Sequence, residues 1–270
     1  MEVFFHKINL NIFLYINMLK NSAKMYKKAM ISMLLFLCVY STAKSQLGLN
    51  NKTEKNQLQE VIPDSIYPTK KFAISYQSEW CNAHYQERIK EFIKMPLKRG
   101  DIVFLGNSIT EMGANWGARF NSSIVKNRGI SGDVTEGVLA RLGEIYYFKP
   151  TSVFILIGIN DIFRDKKIES TVANIIEITR VIHKYSPDTK IYVQTILPTS
   201  NPSIVAKIKE INNILFMKQQ SENYLIIDLH ALFANENDII KKEYTVDGVH
   251  LTEEGYRVWV NTVKKSIPAD

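Results

Sequence analysis

The sequence predicts an α/β fold: a three-layer α/β/α sandwich with a mainly parallel sheet of about five strands. Three observations lead there. From Asp101 onward, short apolar runs alternate with longer segments of helical periodicity. The runs are continuously apolar rather than alternating, as strands buried on both faces are. Short segments join most of them, which suits neighbouring elements of one sheet.

Taken in order, the strands are expected at 101–105, 123–126, 152–157, 190–195 and 225–228. The helices are expected at 109–120, 134–148, 169–184, 204–220 and 253–265. A further helix at 76–94 precedes the first strand: Trp80, Ile89, Phe92 and Ile93 fall roughly on one face, and Pro96 stops it. His183 falls near the end of the 169–184 helix, where a histidine has a structural reason to sit.

The N-terminal part differs from the rest. Residues 1–45 hold six lysines and one acidic residue; without them the formal charge drops from +7 to +2. The alkaline balance therefore belongs to this segment, and no nucleic-acid footprint follows from it. Lys27 and Lys28, an apolar run at 29–40, then Ala43 and Ser45 before Gln46 have the order of a secretory signal. The run is shorter than the roughly 20 residues that span a bilayer. The division expected is an N-terminal extension and signal peptide at 1–45, with the signal proper at about 25–45. A polar tether at 46–71 and one α/β domain at 72–270 follow. Met25 is a natural start, and a membrane element at 8–19 would be interrupted by three asparagines. Lipidation signals generally have a small residue before the cysteine, whereas Leu37 precedes Cys38. The mature chain would lie in the periplasm or outside the cell, with no stable membrane insertion after cleavage. Cys81 would be its only cysteine, which excludes an internal disulfide and a cysteine-based metal site.

Four segments can carry chemistry. Ser108 follows the first strand at a strand-to-helix turn, the end of the sheet where α/β proteins place ligands. Ser108 with Glu111 three residues on is equally a capping box. Gly129 and Gly132 follow the second strand and permit a close backbone approach, with Gly132 before a helix; a plain turn explains them too. Asn160 follows the third strand, where its amide can donate to an oxyanion or simply form a turn. Asp247 lies three residues before His250 across Gly248, a spacing that lets the carboxylate accept the Nδ1 proton; Asp-Gly is also an ordinary turn.

In combination the four segments resemble the SGNH hydrolase (GDSL-type esterase) family, whose blocks carry Ser, Gly, Asn and His in that order. Gly-Asn-Ser-Ile-Thr around Ser108, Gly-Ile-Ser-Gly-Asp around Gly132, Gly-Ile-Asn-Asp around Asn160 and Asp-Gly-Val-His from Asp247 to His250 carry the resemblance, which spans about 101–267. Within the family the chain is most similar to the platelet-activating-factor acetylhydrolase-like branch and to bacterial sialate and carbohydrate O-acetylesterases. The resemblance implies a flavodoxin-like sheet and a serine esterase in which Ser108 is the nucleophile, His250 the base and Asp247 its orienting group. Ser108, Gly132 and Asn160 would form the oxyanion hole, and no metal or organic cofactor is needed. Asn107 departs from the aspartate usual before the serine; it keeps a hydrogen bond but no charge.

The expected substrate is a small-molecule or glycan ester with a short acyl group, acetyl above all. The segments at 162–168 and 197–203 lack the amphipathic stripe of a lipid-facing lid. A lysophospholipase or longer-chain lipase is the alternative within the family. A non-catalytic carbohydrate-binding or scaffolding protein is the alternative outside it.

Overall fold

The computed structural model describes residues 62–267. The extension, the signal segment and the first sixteen residues of the tether expected at 46–71 lie outside them. Five parallel strands form the sheet: β1 (Ile102–Gly106), β2 (Val125–Gly129), β3 (Ser152–Leu156), β4 (Lys190–Gln194) and β5 (Leu225–Ile227). Their order is β2-β1-β3-β4-β5, so the winding direction reverses between β1 and β3. Loops leaving the sheet on either side of that reversal diverge and open a crevice at the carboxyl ends of the strands.

The sheet is apolar because both faces are covered. Register-matched Phe104, Phe154 and Tyr192 stack across β1, β3 and β4, with ring centroids 5.0 and 4.5 Å apart. Trp116 of α3 (Trp116–Phe120) lies 4.2 Å above Phe104, and Trp259 of α10 (Glu253–Val263) meets Trp116 edge-on at 4.8 Å. The other layer holds α4 (Thr135–Ala140), α5 (Gly143–Phe148), α7 (Ile168–Tyr185) and α8 (Val205–Lys218). α1 (Glu79–Lys94) precedes the sheet and stops just before Pro96, as expected.

Several elements differ from the sequence expectation for identifiable reasons. The helix expected at 109–120 is two: α2 (Ser108–Glu111) and α3, parted where Ala114 takes a left-handed φ of 54° and Asn115 caps α3. The helix expected at 134–148 breaks at Arg141, whose guanidinium turns inward to Asp133, Arg128 O and Gly106 O. β2 runs on to Gly129 rather than ending at 126, because buried Arg128 is neutralised by Glu144 at 2.7 Å. α6 (Ile159–Phe163) and α9 (His230–Phe233) are single turns, too short to show a period. The final helix ends at Val263 and tightens into a 3-10 turn over Lys264–Ser266. Residues 62–71 lie against the domain: Ile62 and Ile66 pack on its core, and the Tyr67 hydroxyl donates to Glu144. The compact unit thus reaches back at least ten residues before position 72.

Candidate active site

β1 delivers Ser108 to the crevice. Asn107 is buried, and its Oδ1 accepts from Ile109 N at 3.0 Å, so Asn107 caps α2. The Ser108–Glu111 capping box is therefore not formed, and Ser108 Oγ is left for another partner. The turn is pinned from two sides: Trp116 Nε1 donates to Thr110 O and the Tyr256 hydroxyl to Ile109 O, each at 2.8 Å. Gly129 is needed for close packing here, since a Cβ on it would lie 2.2 Å from Glu111 N.

The loop before α10 supplies the partner. His250 Nε2 is 3.0 Å from Ser108 Oγ, and His250 Nδ1 is 2.6 Å from Asp247 Oδ2. The other Asp247 oxygen accepts from the backbone N–H groups of Val249 and His250 at 2.9 and 2.8 Å. Burial pushes the Asp247 carboxyl up, but the hydrogen bonds from the His250 ring and from these two backbone groups outweigh it and hold it at about 2. An ionised carboxylate only accepts, so Nδ1 carries the proton and Nε2 faces the serine with its lone pair. A serine, an imidazole and a carboxylate joined in this order can activate the hydroxyl as a nucleophile.

Gly132 and Asn160 stand beside Ser108, at the ends of the strands flanking β1. Gly132 takes φ +80°, and Gln77 Nε2 donates to its carbonyl at 3.0 Å. The backbone N–H groups of Ser108 and Gly132 have no acceptor among the described residues. Asn160 Nδ2 donates to Asp133 O at 2.9 Å, which ties β3's loop to β2's and leaves the second amide proton available. All five residues singled out in the sequence thus gather over β2, β1 and β3. A cleft of about 990 Å³ lined by Arg88, Phe92, Asn115 and Lys126 contains none of them; chemistry, not volume, locates the site.

Three supporting groups escaped the sequence. Glu111 accepts from Ser131 N while His84 Nε2 lies 3.0 Å from both of its oxygens and Arg88 Nε 3.4 Å from one. Burial raises the Glu111 carboxyl, but the bonds from His84 and Ser131 with the Arg88 charge draw it below the usual range. Asp133 and Arg141 form a buried pair at 2.9 Å under the loop of Gly132. Asp161 accepts from the Thr135 hydroxyl at 2.6 Å, beside Asn160. Removing one partner of a buried ion pair such as Asp133–Arg141 typically costs about 3–5 kcal/mol. His84 carried no local signal because its partner lies 27 residues away.

The arrangement of a doubly wound sheet with a histidine-linked serine at its switch point defines a class of hydrolytic site, and comparison with known proteins agrees with it. Residues 104–258 match the GDSL-like lipase/acylhydrolase family. The chain is 29% identical over 168 residues to the platelet-activating factor acetylhydrolase IB subunit alpha2 of Rattus norvegicus, covering 59% of this chain and 72% of the relative. A GDSL-like lipase from Bacteroides thetaiotaomicron shares its fold with a TM-score of 0.61 at 24% identity, over 70% of this chain and 98% of that one. A variant of an acetyl-xylooligosaccharide esterase from Geobacillus Stearmophilus shares the fold with a TM-score of 0.53 at 19% identity, over 64% and 96%. The chain belongs to the GDSL-like lipase/acylhydrolase family. That membership makes it an ester-hydrolysing hydrolase.

Proposed function

We propose that the protein is an exported serine esterase that removes short acyl groups, acetyl foremost, from carbohydrate or sialic acid. The observation that carries the reading is the unbroken run of hydrogen bonds from Asp247 through His250 to Ser108 Oγ. Ser108 Oγ attacks the ester carbonyl as its proton passes to His250 Nε2. The negative charge that develops on the carbonyl oxygen falls to the Ser108 and Gly132 N–H groups and the Asn160 amide. Collapse expels the alcohol, which takes the proton from His250, and water repeats the sequence to free the acid. Asp247 keeps the imidazole oriented and balances its charge while it is protonated.

Two features support a short acyl group. The relative's name specifies an acetylhydrolase. In this chain 162–168 is occupied by the end of α6 and a charged turn with Arg164, Asp165, Lys166 and Lys167, not by an apolar lid. Each buried methylene would favour longer chains by about 0.8 kcal/mol, so a trough would be evident in the kinetics. On 4-nitrophenyl esters, kcat/KM is expected to be highest for acetate and to fall from butyrate to octanoate. A rise towards octanoate would replace this reading with the lipase one, which the GDSL-like lipase/acylhydrolase match also fits. Export rests on residues 25–45: N-terminal sequencing from the native host should find a chain starting near Gln46. An uncleaved cytoplasmic form would refute it. Among the described residues no helix is long and apolar enough to cross a membrane.

A further inference from the structure

We propose that the open face of Trp80 is a stacking platform for a pyranose ring, holding the sugar half of the ester beside the oxyanion loop; this rests on the esterase reading above. The chain has three tryptophans. Trp116 and Trp259 are buried, whereas Trp80 is 61% exposed. Exposure alone carries no meaning, since single apolar side chains on a surface are ordinary. What distinguishes Trp80 is that it is held flat and held in place.

Its indole lies against the His84 ring, with centroids 5.0 Å apart and planes 6° from parallel. One face is therefore covered and the other meets water. His84 cannot swing freely, because its Nε2 sits 3.0 Å from both oxygens of Glu111. Glu111 belongs to the same helical turn as Ser108 and also receives Ser131 N from the oxyanion loop. The start of α1 is fixed too, by Ser78 Oγ accepting from Cys81 N. Cys81, the next residue, forms the wall behind Gly132: a Cβ there would meet its Sγ at 2.6 Å. The platform is thus one residue from the oxyanion loop and is tied by two side chains to the nucleophile's turn.

Its chemistry selects a sugar. A pyranose offers a flat face of C–H groups with hydroxyls around the edge, which matches a flat aromatic surface open to water. An acyl chain needs a concave apolar wall, and a quaternary ammonium is held by an aromatic cage. Trp80 offers a single wall. Because the indole is already oriented, little side-chain entropy remains to be lost on binding.

The test uses binding, so that it does not depend on turnover. Full-length Ser108→Ala protein is titrated with O-acetylated xylotriose, followed by tryptophan fluorescence and calorimetry. The other two indoles are buried, so a saturable fluorescence change reports Trp80. Adding Trp80→Ala should abolish the signal and raise Kd at least tenfold, while Trp80→Phe should restore much of the affinity. In the enzyme with Ser108 intact, Trp80→Ala should lower the ratio of kcat/KM on acetylated xylotriose to that on 4-nitrophenyl acetate at least tenfold, through KM. Equal affinity with and without Trp80, or no binding by the Ser108→Ala protein, would overturn the platform. Phosphocholine saturating the same signal more tightly than the sugar would also overturn it, in favour of a choline headgroup. Failure of the esterase reading looks different: the wild-type protein would leave 4-nitrophenyl acetate intact.

Discussion

Gly132→Ala probes the oxyanion loop at its tightest point. The residue sits at φ +80°, where an L side chain costs about 1–3 kcal/mol. The new Cβ would start 2.6 Å from Cys81 Sγ, and overpacking of this kind costs about 1–3 kcal/mol more. The Cys81 side chain is walled in by Arg164 Nη2 at 3.6 Å, so the loop rather than the sulfur should yield. Displacing the Gly132 N–H would remove one of the proposed oxyanion donors, an effect worth about 2.7–4 kcal/mol, or roughly 100- to 1000-fold in kcat. Expected outcomes are a loss of about 2–6 kcal/mol in urea unfolding and a kcat on 4-nitrophenyl acetate lowered by about two to three orders of magnitude with KM little changed. Adding Cys81→Ala removes the sulfur contact but not the backbone strain, so it should recover part of both losses. A Gly132→Ala enzyme within threefold of wild-type kcat would refute the placement of the donor. Failure of Cys81→Ala to recover anything would refute the steric argument.

Asp247→Asn should lower kcat by about a thousandfold or more, because the amide favours the wrong tautomer of His250; an enzyme retaining most of its kcat would mean another group orients the ring. Asp247 is depressed to about 2, so its contribution is complete above the ordinary aspartate range and is lost only as pH falls towards that value.

The sheet was legible because buried parallel strands advertise themselves: Val103-Phe104-Leu105 and Val153-Phe154-Ile155 admit no other reading once helices flank them. Ser108, Gly132 and Asn160 were legible for the same reason, since each follows a recognisable strand. Asp247 and His250 were legible from their spacing. What stayed hidden depends on contacts distant in sequence. Arg141 ends a helix because Asp133 and two backbone carbonyls draw it inward, and nothing in the local pattern of 134–148 announces that. Glu111 reads as a capping residue, yet it spends its carboxylate on Ser131, His84 and Arg88. Asn107, a departure from the family's pattern, does the capping with its side-chain oxygen, a role that needs no charge.

The central claim is that Ser108 is the nucleophile, made reactive by His250 and Asp247. A fluorophosphonate probe followed by peptide mass spectrometry tests it most directly. One adduct per chain is expected, on the peptide carrying Ser108, with ester hydrolysis lost in step; labelling should vanish in a folded Ser108→Ala protein. An adduct on another residue, or none in a preparation that hydrolyses 4-nitrophenyl acetate, would contradict the account.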